Sequence, residues 1–525
     1  MTRPTQIQLF DSTLRDGAQG EGISFSVNDK LDIVRALDEL GIHYIEAGNP
    51  ASNPKELAFF RRAGELRPRN AKLVAFGSTR RKNESAADDP GCAALLAANT
   101  PAVCCFGKSS LLHVREVLRA APEENLRMIE DTCRFFAERG REMIYDAEHF
   151  FDGYKLDPGY ALETLVAAAR GGAATLCLCD TNGGAFPWEV AEITREVCGR
   201  FPALCVGIHA HNDGDMATAI SCAAVRAGAR QVQGTFLGFG ERVGNASLCA
   251  VAPNLQLKLG YDCLPPERLE RLLPTAMRVA SIANTTVRKN TPFIGDSAFA
   301  HKAGMHADGV LKRSASFEHI DPAAVGNRRR FLVSECTGRA AVLRRMQKLY
   351  PRLEADNPII SQIVSALKEK EFRGYSYEGA DASFDLLIRK RMEEIPAFFA
   401  LVSYKVLDEL PYGNERSATA TIKIKVGEQV NIAAAEGDGP VHALDLAMRE
   451  ALTGFFPALK QVRLLDYKVR IMESTFGTGT KVRVLITSGD GEKQWVTVGV
   501  SNDIIEASWE ALVDSVAYKL LEEAP

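Results

Sequence analysis

Two histidines lie one residue apart in the segment GIHAHND (207–213), in a chain of 525 residues that contains only nine histidines. The residues before them, ALCVGI (203–208), form an apolar run typical of a buried strand. Because side chains alternate between the two faces of a strand, His209 and His211 are expected on one face at the strand's carboxyl end. Neutral imidazole is the commonest metal ligand, so this spacing favours a metal or catalytic site over two structural histidines.

A metal site of this kind needs a third ligand, for which a carboxylate is the expected type. Two acids near the amino terminus, Asp11 and Asp16, compete for that role. Asp11 lies within the strand-like run 7–14, whereas Asp16 lies beyond it, which favours Asp16. Two nitrogens and one oxygen leave positions open for water or substrate, as a catalytic metal requires. Mn²⁺, Mg²⁺ and Zn²⁺ all remain open, because imidazole and carboxylate suit each of them to a degree.

The elements that must position these residues form a regular series. Eight strand-like runs alternate with helix-like segments: 7–14, 44–49, 72–78, 102–107, 142–151, 175–183, 203–213 and 230–241. Eight β-then-α units in about 250 residues is the number expected for a (β/α)₈ TIM barrel, whose chemistry lies at the carboxyl ends of the strands.

Polar residues gather at those strand ends. They are Arg15 and Asp16 after the first run, Glu148 and His149 in the fifth, Asp180 and Thr181 in the sixth, and Glu241, Arg242 and Asn245 at and after the end of the eighth. Surface polar residues would not collect at the same end of so many strands, so we predict an active site there. Structural roles stay open for several of them: Thr181 as a cap, Asp180 as a partner of a neighbouring strand, and His149, like His301, as a structural histidine.

Composition excludes several classes of function. A net charge of −4 gives no indication of nucleic acid or an anionic membrane as a partner. No secretory signal or apolar run of about 18 residues is present, so no membrane span is expected. The twelve cysteines include no C-x-x-C pair, and they are interpreted as small buried residues of a cytoplasmic protein.

The pattern changes along the chain, and we predict three regions. Residues 1–285 form the barrel, 286–395 a helical linker subdomain that contributes to the active site, and 396–525 an α+β regulatory and dimerisation domain. The last region has predicted strands at 418–426, 467–472, 481–489 and 494–500. Two segments, 432–452 and 496–516, each follow the order strand, polar turn, amphipathic helix, which indicates an internal pseudo-repeat.

Four motifs together resemble the acyl-CoA Claisen condensation family, which includes isopropylmalate, homocitrate and citramalate synthases. They are DSTLRDGAQ, GIHAHND, GFGERVGN and FAHKAGMHADG. The resemblance covers nearly the whole chain. Further stretches, including GSTRRK, DAEHFFDGYK, LCDTNGG and RGYSYEGADASF, are most similar to the long-form citramalate-forming members. That likeness implies condensation of acetyl-CoA, as co-substrate, with pyruvate to give (R)-citramalate and CoA, on a route toward isoleucine.

The same resemblance implies roles for individual residues. The residues that match the family's metal ligands are Asp16, His209 and His211, and Asn245 matches a residue close to the divalent metal ion. Arg15 matches the arginine that holds the carbonyl oxygen of the 2-oxo acid. Glu148 and Thr181 match strand-end residues that contact the substrate. His306 matches a histidine brought over the site from beyond the barrel and is the candidate base, with water relayed through Glu148 as the alternative. The family commonly has tyrosine where this chain has Phe317, so the role of that hydroxyl is not carried over, and Tyr154 or water would have to replace it.

Alternative functions remain at this stage. A 2-isopropylmalate or homocitrate synthase would use a larger 2-oxo acid, a metal-dependent lyase or aldolase would cleave the carbon–carbon bond, and a catalytically dead sensor would bind an amino acid alone.

The carboxyl-terminal domain is expected to regulate the enzyme. We expect isoleucine to bind at two helix-opening turns, EGDGP (436–440) and VSND (500–503), because free N–H groups at a helix start bind carboxylates. The same domain is expected to pair two chains as a homodimer.

Overall fold

The computed structural model describes residues 5–64, 66–302, 304–332, 339–392, 395–409, 417–472 and 480–523. These residues form two compact units. The first comprises residues up to Phe299 together with His319–Arg329, and the second comprises Ala300–Glu318 with the chain from Arg330 onward.

A closed barrel of eight parallel strands forms the centre of the first unit, with the strands in sequence order around the barrel. The eighth strand closes the barrel against the first through a parallel ladder that pairs Gln8 with Gln231 and Asp11 with Gly234. This confirms the predicted TIM barrel. The strands are β1 (Gln8–Asp11), β2 (Tyr44–Gly48), β3 (Lys72–Ser78), β4 (Ala102–Lys108), β5 (Glu142–Glu148), β6 (Thr175–Asp180), β7 (Cys205–Ala210) and β8 (Gln231–Gly234).

Helices surround the strands because each strand is followed by an amphipathic segment that buries its apolar face against the barrel. They are α1 (Val27–Leu40), α2 (Pro54–Ala63), α3 (Pro90–Ala97), α4 (Pro122–Ala137), α5 (Phe150–Leu156), α6 (Pro158–Arg170), α7 (Pro187–Arg200), α8 (Ala217–Ala227), α9 (Leu248–Pro253), α10 (Pro266–Leu269) and α11 (Leu272–Ile282). Many of these helices begin with proline in the first turn, as at Pro54, Pro122 and Pro187. Proline is tolerated there because backbone N–H groups in the first turn have no acceptor within the helix.

Five strands that carry or precede predicted site residues end earlier than predicted: β1, β5, β6, β7 and β8. The first predicted run extends to residue 14, but β1 ends at Asp11, and the chain then turns through Thr13. The eighth run extends to residue 241, but β8 ends at Gly234 and a left-handed turn follows at Leu237 and Gly238. Apolar residues continue past both strand ends into loops that are themselves buried, so hydropathy alone extends the strands too far.

The second unit begins with a short two-stranded ladder and a group of helices. Its elements are β9 (Ala300–His301), α12 (Gly304–Lys312), β10 (Arg330–Phe331), α13 (Arg339–Leu349), α14 (Ile359–Phe372) and α15 (Asp381–Arg391). Buried Ile360, Ile363, Leu367 and Phe384 share a core with Val498, which belongs to the sheet region that follows.

Two copies of a three-stranded antiparallel sheet with one helix complete the second unit and confirm the predicted pseudo-repeat. The first copy contains β11 (Ala400–Glu409), β12 (Ser417–Val426), β13 (Gln429–Gly437) and α16 (Pro440–Thr453), and the second contains β14 (Arg463–Ile471), β15 (Val482–Gly489), β16 (Gln494–Ser501) and α17 (Ile504–Glu523). β11 was not predicted, because its side chains are mostly exposed on both faces and the alternation that marks a strand is weak.

No helix among the described residues is long and apolar enough to cross a membrane. The eleven cysteines within the described part of the chain are free thiols, and Cys336 lies outside it.

Candidate active site

Asp16, His209 and His211 come together at the carboxyl end of the barrel. The Oδ2 atom of Asp16 lies 3.8 Å from Nε2 of His209 and 3.9 Å from Nε2 of His211. One ligand atom from each residue lies within 4.8 Å of the others, and all three side chains are buried. The strand period therefore places the two imidazoles as the sequence predicted, and the turn after β1 supplies the carboxylate.

Burial and the neighbouring charges favour the protonation states in which Asp16, His209 and His211 can bind a metal ion. Burial raises the pKa of Asp16, but the Arg15 guanidinium and a hydrogen bond from Asn245 outweigh it and hold that pKa well below its usual range. Burial lowers the pKa of His209 to about 4, against the opposing effect of Asp16. Burial also lowers the pKa of His211. At neutral pH the cluster therefore contains one carboxylate and two neutral imidazoles.

A hydrogen-bonded chain fixes the orientation of His209. Its Nδ1 lies 3.0 Å from Oε1 of Gln233, and Nε2 of Gln233 donates to Oδ1 of Asp146 over 2.9 Å. Since the amide oxygen can only accept, Nδ1 of His209 carries the proton and Nε2 keeps its lone pair toward Asp16. Gln233 and Asp146 are buried inside the barrel, and burial raises the pKa of Asp146 to about 7.

Arg15 is held rigidly beside the cluster. Its Nη1 donates to Asp16 over 2.7 Å and its Nε donates to Glu46 over 2.6 Å. The guanidinium carbon lies 3.8 Å above the ring of Phe76, and Ser12 also donates to Glu46. Although burial lowers the pKa of Arg15, the carboxylates of Glu46 and Asp16 raise it further, so the arginine stays charged.

The loop after β8 closes one side of the cluster. Asn245 pairs with His211 in an isolated antiparallel bridge and donates its Nδ2 to Oδ1 of Asp16 over 2.7 Å. A Cβ at Gly240 would lie 2.2 Å from that Nδ2 atom, so glycine is required there. Arg242 binds Asp213 through two hydrogen bonds of 2.8 and 2.9 Å, which ties this loop to the residues that follow the two histidines.

The donor set fits a divalent metal ion. Two ligand atoms that are each about 2.1 Å from one ion can be at most about 4.2 Å apart, and both distances from Asp16 fall below that limit. The Oδ1 atom of Asn245 is buried and has no hydrogen-bond partner among the described residues, so it is free to act as a ligand. Nitrogen and oxygen donors with a hydrogen-bonded outer histidine nitrogen are typical of catalytic metal sites.

Glu148 and Thr181 lie at neighbouring strand ends on the same face. Glu148 ends β5 and forms an ion pair with Lys108, which ends β4. The Oγ1 atom of Thr181 accepts a hydrogen bond of 2.9 Å from the N–H of His149, so its own proton remains available for donation. Thr181 is thus a strand-end cap, and a substrate contact through its O–H stays a prediction.

Several other candidates have structural partners. Asp11 accepts hydrogen bonds from Thr13 and from the N–H of Phe236, away from the cluster. Asp180 accepts from the N–H groups of Gly184 and Ala185, which makes it a loop anchor rather than the partner of a strand.

Both histidines whose roles were open also have partners. His149 has a left-handed backbone, with φ of 55°, and stacks on His113 at 3.7 Å. His301 lies 3.0 Å from Glu318.

His306 belongs to the second unit, on α12, and is exposed to solvent. Its ring stacks on Phe317 at 4.2 Å, so the residue that replaces the family tyrosine supports the histidine through ring contact. The hydroxyl of Tyr154 donates to Glu196 at the surface of the first unit. The placement of His306 over the barrel stays a prediction.

Three residues of the site escaped the sequence analysis. Glu46, Asp146 and Gln233 are buried polar side chains within otherwise apolar strands, and they orient Arg15 and His209. An acid or amide inside a continuous apolar run is costly to bury without a partner, and that signal was available in YIEAGN, MIYDAEHF and RQVQGT.

A second candidate site lies in the pseudo-repeat unit. A cavity of about 390 Å³ adjoins the start of α16 and the start of β14, and it is lined by Val441, His442, Asp445, Leu446, Arg449, Arg463, Leu464 and Tyr467. The two turns expected to bind a carboxylate are not equivalent. The residue before α16 is Gly439, with no side-chain cap, whereas Asp503 accepts from the N–H of Ile505 at the start of α17. The expectation of two free helix starts was therefore wrong for the second turn.

Three family matches together span most of the chain. Residues 6–276 match the HMGL-like family. Residues 293–373 match the homocitrate synthase post-HMGL domain-like family, and residues 378–520 match the LeuA allosteric (dimerisation) domain.

Similar proteins match over nearly their full length. The (R)-citramalate synthase of Aquifex aeolicus (strain VF5) is 48% identical, covering 99% of this chain and 98% of that protein. The (R)-citramalate synthase of Geobacter sulfurreducens is 46% identical, covering 98% and 97%. The probable 2-isopropylmalate synthase of Methanopyrus kandleri is 32% identical, covering 98% of each.

Proposed function

The chain belongs to the family of HMGL-like enzymes that contains (R)-citramalate synthases and 2-isopropylmalate synthases, and from that membership we propose that it condenses acetyl-CoA with pyruvate to give (R)-citramalate and CoA. The observation that carries the proposal is the buried cluster of Asp16, His209 and His211 with Arg15 fixed beside it. Pyruvate is favoured over a larger 2-oxo acid because identity to the citramalate synthases reaches 48%, against 32% for the probable 2-isopropylmalate synthase.

Arg15 has the geometry to hold the carbonyl oxygen of the 2-oxo acid. Glu46 and Asp16 each take one side of its guanidinium, and Phe76 covers a face, so its remaining N–H groups keep a fixed direction. When the carbonyl is attacked, negative charge develops on its oxygen, and a preorganised cation stabilises that charge without reorganisation. Arg15 therefore both binds the substrate and stabilises the alkoxide.

A divalent ion held by Asp16, His209 and His211, with Asn245 beside them, would supply Lewis-acid polarisation of the same carbonyl. Mn²⁺, Mg²⁺ and Zn²⁺ all suit these donors. The chain's own contribution is to keep both imidazoles neutral and the carboxylate ionised, as burial and Arg15 do here.

Carbon–carbon bond formation requires that a proton leave the methyl group of acetyl-CoA. His306 is the proposed base, since histidine is the side chain that most often serves as a general base in enzymes. A water molecule positioned by Glu148, which forms an ion pair with Lys108, is the alternative. The resulting carbanion attacks C2 of pyruvate, the alkoxide takes up a proton, and hydrolysis of the thioester releases CoA and citramalate.

We further propose that an amino acid, isoleucine, regulates the enzyme from the pseudo-repeat unit, and that this unit pairs two chains. The 390 Å³ cavity beside α16 offers apolar walls from Val441, Leu446 and Leu464. Among the described residues, Arg463 donates to the backbone carbonyls of Lys460 and Val462 and forms no ion pair, so this cation can also bind a carboxylate. Inhibition requires that the bound form favour a less active arrangement of the chain.

The proposed reaction has a direct test. Purified protein is incubated with Mn²⁺, acetyl-CoA and pyruvate, free thiol is measured, and the product is separated on a chiral column. The proposal expects (R)-citramalate in equimolar amount with free CoA. Release of thiol without citramalate, or no release at all with any of the three metals, contradicts it.

A further inference from the structure

Two cysteines lie one residue apart on β6, Cys177 and Cys179, in the segment TLCLCD. The period of two in a strand places both side chains on one face. The same rule orders the two histidines of the catalytic cluster of Asp16, His209 and His211 on the next strand, β7. The spacing on β6 therefore presents two thiols together, and neither has a role in the proposed chemistry.

Asp146, inside the barrel, is fixed beside these two thiols. In the parallel ladder between β5 and β6 it is the Cα partner of Cys177. One carboxylate oxygen of Asp146 and the sulfur atoms of Cys177 and Cys179 all lie within 4.8 Å of one another, and the three side chains are buried. An ionised carboxylate has about four lone-pair sites, so Asp146 can keep the hydrogen bond from Gln233 and also bind an ion. Two sulfurs and one oxygen thus form a set of three possible ligands.

These three residues lie next to the catalytic cluster. In the ladder between β6 and β7, Cys179 is the Cα partner of His209, so Cys177 is two residues nearer the amino end of the barrel. Cys179 and Asp146 are 4% and 3% exposed, whereas Cys177 is fully buried. The slight exposure of the upper two residues indicates that an ion would reach the thiols from the carboxyl face, past the catalytic cluster.

The barrel interior is polar around the three residues, although TIM barrels usually fill this space with layers of branched apolar side chains. The layer nearest the amino ends follows that rule and includes Phe10, Tyr44, Val74, Ala102 and Ile144. Above it, donor atoms of Cys104 and Glu46 also lie within 4.8 Å of Asp146. The Oε1 atom of Glu46 is buried and has no hydrogen-bond partner among the described residues. Burying such an oxygen without a partner is costly, which indicates a polar ligand or an ion in this part of the barrel.

We propose that Asp146, Cys177 and Cys179 bind a thiophilic divalent cation, Zn²⁺ or Cd²⁺, at a second metal site beside the catalytic cluster. Thiolate sulfur is a soft ligand that selects zinc and similar ions, whereas carboxylate and water suit Mg²⁺ and Mn²⁺. Each thiol releases its proton to solvent as its sulfur–metal bond forms, so the ion binds more tightly at higher pH. The site requires no condensation chemistry, and the inference is independent of the proposed reaction.

Cd²⁺ is the probe, because a cadmium–thiolate bond has an ultraviolet charge-transfer band that cadmium bound by imidazole and carboxylate lacks. The protein is titrated with Cd²⁺ while Mn²⁺, in large excess, occupies the catalytic cluster. We expect the band to saturate at an equimolar amount of Cd²⁺, and Zn²⁺ should then displace Cd²⁺ and abolish the band. The absence of a band in the parent protein overturns the proposal.

Substitutions on two strands separate this site from other thiols. Cys177→Ser and Cys179→Ser should each weaken Cd²⁺ affinity by more than about 100-fold, because loss of even an outer-shell contact costs about 10- to 100-fold. Cys105→Ser is the matched control, since Cys105 is as deeply buried on β4 but belongs to the core that the helices share. The band should be unchanged in Cys105→Ser and in Asp16→Asn. An unchanged band in both β6 variants, or its loss in Asp16→Asn, contradicts the proposal.

Two further measurements guard against a variant that fails to fold. Mn²⁺ should still raise the unfolding temperature of Cys177→Ser and Cys179→Ser, which shows that the barrel and its catalytic cluster are intact. X-ray absorption of the Asp16→Asn protein loaded with equimolar Zn²⁺ counts sulfur ligands while both cysteines are present. Two sulfur neighbours at about 2.3 Å support the site, and a zinc ion with only nitrogen and oxygen neighbours overturns it.

Discussion

Gln233 holds His209 by a hydrogen bond of 3.0 Å between Oε1 and Nδ1, deep inside the barrel and behind the metal-competent face of the imidazole. The other end of the amide is fixed by Asp146. A histidine ligand whose outer nitrogen donates to a fixed acceptor has one tautomer and one ring orientation, so this contact sets how the cluster presents its lone pair.

Replacing Gln233 with methionine, which is similar in size and cannot accept the hydrogen bond, should weaken Mn²⁺ affinity by about 10- to 100-fold. Titration calorimetry of the metal-free protein measures this. Gln231→Met is the matched control, since Gln231 is equally buried on β8 and donates to Gln8 rather than to the cluster. Equal affinity in the two variants would show that Gln233 does not position the ligand.

Asp16→Asn and His209→Ala should abolish turnover while the protein stays folded. A ligand that binds only the folded state raises the unfolding temperature, so Mn²⁺ should stabilise the parent protein and neither variant. Asp11→Asn provides the contrast, because Asp11 is bound to Thr13 and Phe236 and lies outside the cluster. The Asp11→Asn variant should be less stable than the parent protein, yet Mn²⁺ should still raise its unfolding temperature. If Mn²⁺ no longer raised the unfolding temperature of this variant, Asp11 would be part of the metal site.

Metal affinity should decline only gently between pH 7.5 and pH 5.5. Two imidazoles with the ordinary pKa of about 6.5 would each be about 10% neutral at pH 5.5 and together cost about 100-fold in affinity. Burial lowers the pKa of His209 to about 4 and lowers that of His211, so both stay neutral further into acid. Calorimetry should therefore show that metal affinity falls by less than about 10-fold between pH 7.5 and pH 5.5. A fall near 100-fold would show that burial does not lower the pKa of the two histidines.

The lowered pKa of His209 also determines how the stability of the folded protein changes with pH. The folded-state pKa of His209 is below the unfolded value, so the unfolded chain takes up its proton first as pH falls. Its contribution to stability is present above pH 6.5 and is lost as pH falls toward 4. Denaturant unfolding of the metal-free His209→Gln variant should therefore depend less on pH across that window than unfolding of the parent protein.

Filling the cavity beside α16 should remove inhibition by isoleucine. Val441→Trp places a large ring in the cavity, whereas Val469→Trp adds the same ring at an exposed position on β14 outside it. Isoleucine should inhibit the parent protein and the second variant but not the first. Absence of isoleucine binding to the parent protein by calorimetry would reject this part of the account.

Deleting the chain from residue 396 should also remove inhibition and weaken dimerisation. That truncation is a harsher test, because Val498 packs in one core with Ile360 and Phe384 of the retained helices. The exposed apolar surface would favour aggregation, so sedimentation of the truncated protein must accompany its activity measurements. Equal inhibition of a monodisperse truncated enzyme would place the effector site elsewhere.

The barrel was predictable because its strands are buried on both sides and therefore appear as separate apolar runs. The cluster was predictable because a period of two places His209 and His211 on one face. The strand ends were not, since buried loop residues such as Phe236 continue the apolar pattern. β11 was missed for the opposite reason, since its exposed faces leave little contrast between neighbouring residues.

The positioning residues required three-dimensional information. Gln233 is 24 positions from His209, and Glu46 is 31 positions from Arg15. No periodicity relates such pairs, because it is closure of the barrel that brings them together. Asp503 illustrates a local miss, in which a helix-capping residue two positions before Ile505 was within reach of sequence analysis.

The most direct test of the central claim is kcat/KM for a panel of 2-oxo acids, measured by free-thiol release from acetyl-CoA with saturating Mn²⁺. The account predicts the highest value for pyruvate, well above 2-oxoisovalerate and 2-oxoglutarate. Side activity on 2-oxobutyrate is compatible with it, because one methylene changes binding by only about 1–3 kcal/mol. A higher value for 2-oxoisovalerate would contradict the account and make the enzyme a 2-isopropylmalate synthase.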